Sequence, residues 1–248
     1  SMNSKNNFYY LKYILVRNLY KFANKIICIS YAVQEDLINN YKIEKNKTEV
    51  IYNPININLI NKKLNNIRNI NNINKITPKI ISSKKIIISV GKFSYQKGFD
   101  ILINAMKYVK NEDAFLIIMG LGNKNDYTNL INHHNLKNKV ILLDYDQNPY
   151  ILMSKSKLYV CASRFEGFGN TILEALYLGL PIISTPCHNG TNEIIKNVKY
   201  CKILNNFNEI NLANAIDEKL LENSNKYRKT QLDSFNLKNI TKEYEKII

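Results

Sequence analysis

The sequence predicts an α/β fold, a parallel sheet with helices on both faces. Three observations predict it. From Lys84 onward, short apolar segments alternate with stretches of helical character. Those segments are apolar throughout rather than at alternate positions, so both faces of each strand are buried, as in a parallel sheet between helix layers. The loops after the strands hold most of the glycines and many unusual polar residues. In open α/β sheets, ligands bind at those carboxyl ends.

The elements follow in order. Residues 8–24 place Tyr, Leu, Ile and Val on one side and read as an amphipathic helix. Ile26–Ser30 reads as a strand, Tyr31–Tyr41 as a helix, and Thr48–Tyr52 as a strand stopped by Asn53-Pro54. Residues 55–80, biased toward Asn, Ile and Lys, read as a linker with room for one helix, ending near Pro78. Strands are then expected at Ile86–Val90, Phe115–Met119, Val140–Leu143, Leu158–Ala162, Pro181–Ser184 and Tyr200–Leu204. The helices between them are Gly98–Val109, Asp126–His134, Pro149–Ser154, Thr171–Leu178 and Gly190–Ile195. Asn208–Leu221 and Leu237–Ile248 close the chain as helices.

At 248 residues and 45% hydrophobic, the chain can bury a sizeable core. Its net charge of +15 suits polyphosphate ligands, an anionic membrane surface or nucleic acid. The basic residues are scattered, with no dense Arg run, aromatic RNA-binding signature or zinc-finger spacing, so no nucleic-acid partner is expected. Four cysteines without a C-x-x-C pair argue against a disulfide framework or a zinc site and fit a reducing cytoplasm. Leu11–Ile29, the best N-terminal apolar stretch, is interrupted by Lys12, Arg17, Lys21 and Lys25, so neither a secretory leader nor a span is expected there.

The most informative motif is Glu166-Gly-Phe-Gly-Asn-Thr-Ile-Leu-Glu174, between an expected strand and an expected helix. The first amides of a helix lack intrahelical partners and sit at the positive end of its dipole, which favours an anion such as phosphate. Gly167 and Gly169 allow close approach to the main chain. A carboxylate on either side of a phosphate can grip hydroxyls, and phosphate flanked by hydroxyls describes a nucleotide sugar. The competing reading makes Thr171 and Glu174 a capping box serving only the helix. A cap leaves Glu166 and the two glycines unexplained.

Four further loops carry candidates. In Gly91-Lys-Phe-Ser-Tyr-Gln-Lys-Gly98, Lys92 and Lys97 suit a diphosphate and the negative charge on a departing nucleoside diphosphate; the alternative is two solvated lysines. Gly120-Leu-Gly122 lacks the remainder of a dinucleotide fingerprint and reads as a tight turn near the ligand. Asp144–Asn148, with the Tyr145 ring, can frame a nucleobase or be an ordinary polar loop. Cys187-His188 are sequence neighbours, which rarely achieve nucleophile–base geometry. The His133-His134 pair points two ways on a helix and reads as a surface pair rather than a metal site.

Taken in order, these segments resemble the GT-B retaining glycosyltransferases of family 4, the glycosyl transferases group 1. The resemblance rests on Ile29–Leu37, Val50–Pro54, Val90–Asp100, Ser163–Gly169, Glu174–Pro181 and Gly190–Ile195, with Glu166 and Glu174 on the family's E-x7-E motif. It implies a Rossmann-like sheet forming the C-terminal half of a GT-B fold. It also implies site roles. Lys97 and Lys92 hold the donor diphosphate, with Lys92 standing where Arg is usual. Gly91, Gly120 and Tyr145 line the donor site. Glu166 contacts the transferred sugar, Glu174 holds the ribose, and Phe168, Gly169, Asn170 and Thr171 shape the sugar and phosphate pocket. The donor implied is a hexose or N-acetylhexosamine on a nucleotide, UDP by expectation, with retention, no metal and no separate cofactor.

The same resemblance divides the chain into 1–54, the end of an acceptor-side Rossmann-like domain; 55–80, a linker; 81–235, the donor-binding domain; and 236–248, a helix crossing back. A front domain shortened in this way implies a partner chain supplying the rest, or a chain inactive alone. The acceptor expected is a glycan or lipid-linked sugar at the inner face of the membrane, with the basic surface making peripheral contact. Two rival functions remain open: a non-catalytic nucleotide-sugar binding or partner module, and a basic nucleic-acid binder.

Overall fold

The computed structural model describes residues 13–66, 84–187, 190–222 and 232–247. Residues 8–12 of the expected first helix, the 67–80 part of the linker, and His188 lie outside the described residues.

The described residues begin with a helical segment over residues 13–19 (α1). It continues as β1 (Ile26–Cys28), α2 (Tyr31–Asn39) and β2 (Thr48–Val50), and β1 pairs with β2 in parallel. A helix, α3 (Ile57–Asn65), occupies the front of the expected linker. The larger part then runs β3 (Lys85–Val90), α4 (Phe99–Ala105), β4 (Ala114–Gly120), α5 (Asn125–His133), β5 (Val140–Asp144), α6 (Tyr150–Lys155), β6 (Leu158–Cys161), α7 (Asn170–Tyr177), β7 (Ile182–Ser184), α8 (Thr191–Ile195), β8 (Lys202–Ile203) and α9 (Glu209–Leu221). The last helix is α10 (Leu237–Glu245).

β3 to β8 form one sheet in the order β5-β4-β3-β6-β7-β8, with every pairing parallel. The chain starts in the middle, winds outward through β4 and β5, then returns to the other side of β3 as β6. The order reverses between β3 and β6. At such a switch point the following loops diverge to opposite faces and leave a crevice.

Both faces of the sheet are buried, and the core divides by strand parity. Ile86, Ile88 and Val90 of β3 join Phe115, Ile117 and Met119 of β4 and Tyr159 and Cys161 of β6 in one cluster, covered by α3, α6, α7 and α8. Ile87, Leu116, Ile118, Leu158 and Val160 point into the other, covered by α4, α5 and α9. This is why the strands lack polar alternation. Each fully buried Ile or Leu contributes about 1.5–3 kcal/mol relative to exposure.

The 55–65 stretch packs on this body. Ile60 is buried, Tyr177 donates to Asn61 Oδ1 at 2.7 Å, and Asn148 Nδ2 donates to the Lys63 carbonyl at 2.8 Å. Asn56 caps α3 by accepting from the Leu59 amide at 2.9 Å. The Asn-rich composition that reads as a linker therefore supplies a helix cap and polar contacts to the body.

Candidate functional site

The two loops at the switch point are Gly91–Gly98, after β3, and Ser163–Gly169, after β6. Glycine brings them together. Gly98 has φ 60° and ψ 27°, and a Cβ there would lie 2.0 Å from the Ala162 carbonyl oxygen. A side chain would be strained in the backbone and would force the loops apart. Gly120 serves the neighbouring contact, since its Cβ would fall 1.6 Å from the Gly91 oxygen. Gly91 in turn lies under the aliphatic stem of Lys97, at 3.0 Å from a built Cβ.

Arg164 ties the loops further. Its guanidinium makes two bonds to the Asp100 carboxylate, at 2.9 and 2.6 Å, and donates to the Tyr95 carbonyl at 2.8 Å. It also lies 4.0 Å from the Tyr95 ring centroid. Burial pushes the Asp100 carboxyl up, but the bonds and charge of Arg164 outweigh it and leave the group below its ordinary value. Main-chain bonds run alongside, from the Arg164 amide to the Gln96 oxygen at 2.8 Å and from Gln96 Nε2 to the Phe165 oxygen at 3.1 Å.

Lys97 and Glu166 meet across this junction. Lys97 Nζ donates to Glu166 Oε1, and Ser163 Oγ donates to the same oxygen at 2.7 Å. Glu166 is only 7% exposed. Both bonds fall on Oε1, and among the described residues Oε2 accepts none. Glu166 thus has a structural bond that sequence reasoning did not foresee. Lys92, in contrast, stands exposed on its loop, as the solvated alternative expects for that residue but not for Lys97.

α7 starts next to this pair. Gly169 adopts φ 97° and ψ 58° as its N-cap, and no side chain caps the helix. The capping-box reading of Thr171 and Glu174 is therefore corrected. The left-handed turn at Gly169 starts the helix at Asn170 and puts Thr171 inside it. There Thr171 Oγ1 accepts from the Tyr159 hydroxyl at 2.8 Å, facing the core. Glu174 instead takes the Tyr150 hydroxyl on Oε1 at 3.0 Å and lines a cavity of about 160 Å³ with Pro54, Asn56, Tyr150 and Asn170. Burial raises the Glu174 carboxyl above its ordinary value, partly countered by the Tyr150 bond and by Lys63.

The remaining candidates are spread around this centre. Tyr145 is 52% exposed on the Asp144–Asn148 loop. Asn170 Oδ1 accepts from Asn53 Nδ2 at 3.1 Å. Phe168 is buried in an aromatic cluster, its ring 5.4 Å from Tyr52 and 5.9 Å from Phe235. That placement shapes the loop from behind rather than offering the ring to the crevice. Cys187 is buried, and His134 bonds Asn104 Oδ1 at 3.0 Å. Among the described residues no group of three His, Cys, Asp or Glu side chains could hold a metal ion, and no helix is long and apolar enough to cross a membrane.

Sequence reasoning missed four contributors: Ser163, Arg164, Tyr150 and Lys63. Arg164 carried a signal, being an arginine two residues before Glu166 in a chain whose basic residues are mostly lysine. Its partner, 64 residues away, carried none.

Comparison with known proteins identifies the family and the fold. Residues 71–232 match the family described as glycosyl transferases group 1, and residues 3–59 match glycosyltransferase family 4. A protein of Methanocaldococcus jannaschii named as an uncharacterized glycosyltransferase is 35% identical over 213 residues, covering 84% of this chain and 48% of that protein. The N-acetylgalactosamine-N,N'-diacetylbacillosaminyl-diphospho-undecaprenol 4-alpha-N-acetylgalactosaminyltransferase of Campylobacter jejuni is 30% identical over 249 residues, covering 98% of this chain and 65% of that protein. The chain thus spans about half to two thirds of the length of these relatives. Among solved structures, Anabaena HepE in complex with UDP and glucose superposes with a TM-score of 0.80 at 22% identity, covering 94% of this chain and 65% of that one. That likeness carries the GT-B-type fold.

Proposed function

This chain belongs to the glycosyl transferases group 1 family, and from that premise we propose that it forms the donor-binding part of a glycosyltransferase. It takes a hexose or N-acetylhexosamine from a nucleotide sugar, UDP-linked, and delivers it with retention to a glycan or lipid-linked acceptor. One observation carries this reading: a Lys97–Glu166 pair at the switch point of the sheet is followed by α7, a helix that starts without a side-chain cap and carries Glu174.

In this reading the α7 amides and Lys97 hold the diphosphate, and Lys92 adds a second positive charge from its exposed position. Negative charge grows on the diphosphate as the bond between it and the anomeric carbon breaks, so fixed cations and amides there lower the barrier. No metal is needed for that charge. Glu166 offers Oε2 to a sugar hydroxyl. Glu174 offers Oε2 to the ribose, with Tyr145 against the base. The UDP bound to HepE and the diphospho-undecaprenol in the Campylobacter relative's name support the donor and acceptor classes. The net charge of +15 supports peripheral contact with the cytoplasmic face of a membrane.

Calorimetry with UDP and UDP-sugars tests the donor assignment. The intact protein should bind them, and Lys97→Ala and Glu174→Ala should each weaken binding about tenfold or more. Unweakened affinity in both variants, equal to that of the intact protein, or no binding by the intact protein, rejects the assignment. Hydrolysis or transfer of the bound sugar in the presence of lipid-linked acceptors separates an enzyme from a binding module.

A further inference from the structure

Glu193 lies on α8 and has no part in the site described so far. Its two oxygens take three donors from the front of the chain. Oε1 accepts from the Ala32 amide at 2.9 Å. Oε2 accepts from the Tyr31 amide and from the Tyr52 hydroxyl, both at 3.0 Å. Tyr31 and Ala32 are the first residues of α2, where amides lack intrahelical partners. Ser30, the α2 N-cap, accepts from the Val33 amide at 3.1 Å and donates to the Gly167 carbonyl at 2.8 Å.

The other side of this junction is the donor loop itself. The Tyr52 ring stacks on Phe168 at 5.4 Å and 23°. Burial and then the Glu193 bond raise the Tyr52 hydroxyl above its ordinary value, so it stays a donor. Gly190, three residues before Glu193, has no room for a side chain: a Cβ would lie 2.7 Å from Ser30 Cβ and 2.8 Å from the Gly167 oxygen. Residues 30, 52, 167, 168, 190 and 193 thus form one contact, with the front segment pressed against the back of the loop that presents Glu166 and the start of α7.

We propose that Glu193 and Tyr52 are positioning residues: docking of the front segment on Glu193 holds the Glu166–Asn170 loop in the geometry that receives the sugar diphosphate. The proposal rests on the donor-site reading above. It predicts that the loop loses order, and the diphosphate-sugar end of the ligand loses affinity, when the Glu193 contacts are broken. The nucleoside end, held by Glu174 and the Asp144–Asn148 loop, is unaffected.

The test is hydrogen exchange on the ligand-free chain, followed by calorimetry with a UDP-sugar and with uridine, on Glu193→Gln and Tyr52→Phe. Glu193→Gln replaces an acceptor-only carboxylate by an amide whose NH2 cannot accept. Amides of residues 167–172 should exchange about tenfold faster while β3 and β4 are unchanged, and UDP-sugar affinity should fall about tenfold with uridine affinity constant. Tyr52→Phe keeps the ring on Phe168 and should give a smaller change of the same sign. It carries the test if Glu193→Gln does not fold. Faster exchange confined to Tyr31 and Ala32, with the loop unchanged, overturns the proposal and leaves Glu193 a cap for α2. Equal loss of UDP-sugar and uridine affinity overturns it too. Failure of the unmutated protein to bind either ligand rejects the donor reading, while a faster-exchanging loop in Glu193→Gln still supports the positioning contact.

Discussion

Glu174 shows how a single side chain can be held ready by the fold. Tyr150 fixes Oε1, and burial raises the carboxyl above its ordinary value. Only the ionised form accepts from two ribose hydroxyls without donating. Because the carboxyl is raised, it takes up a proton at a higher pH than an ordinary glutamate. Nucleotide affinity should therefore be full near neutral pH and decline as pH falls, before the ordinary carboxylate range is reached. Calorimetric titrations of UDP across that window should show the decline, and Glu174→Gln should flatten it. A decline of equal size in the variant assigns the titration elsewhere. The pairing of Lys97 with Glu166 is a second case, since the same bond that orients the glutamate also keeps an ammonium at the switch point.

At the scale of elements, the two switch-point loops act as one unit because Arg164 joins them. A guanidinium can satisfy Asp100 with two parallel bonds while stacking on Tyr95, whereas an ammonium can do only part of this. Arg164→Lys should cost about 1–2 kcal/mol of stability. It should also weaken UDP-sugar binding without touching any ligand atom, because the loop carrying Glu166 is released from the loop carrying Lys97. Denaturant unfolding and calorimetry check the two halves, and an unchanged affinity shows that the loops hold their places without the fork. α3 is the other instructive element. Its Asn cap and single buried Ile60 are too sparse a signal in an Asn/Ile/Lys-rich stretch, and only the partners Asn148 and Tyr177 give it a place.

Across the whole molecule, residues 52–55 and 235–236 meet behind the Glu166–Asn170 loop. The Ile55 amide donates to the Phe235 carbonyl at 2.7 Å, and Ile55 bridges in parallel to Asn236. The Phe235 ring lies 5.3 Å from Tyr52 and 5.9 Å from Phe168. Three rings from residues 52, 168 and 235 thus join segments far apart in sequence. Phe235→Ala should lower stability by about 1–3 kcal/mol, less than a fully buried ring would, because Phe235 is only partly buried. Thermal unfolding measures it. A change within a few tenths of a kcal/mol means the front segment docks without the aromatic cluster.

Much of the fold was legible locally. Runs such as Ile86–Val90 and Phe115–Met119 are apolar at every position because both faces are covered, and that requirement is written residue by residue. The strand-end glycines and the Glu166–Glu174 spacing are local too, so the sequence by itself determined the α/β class and pointed to the loops of the candidate site. It could not decide the strand order, which depends on which edge each returning strand finds. Nor could it assign Thr171, whose hydroxyl turns inward because Gly169 starts the helix one residue earlier than the pattern suggests. The contacts of Glu193 were out of reach for a different reason: its donors lie 162, 161 and 141 residues away, and no local pattern constrains a bond closed only by folding.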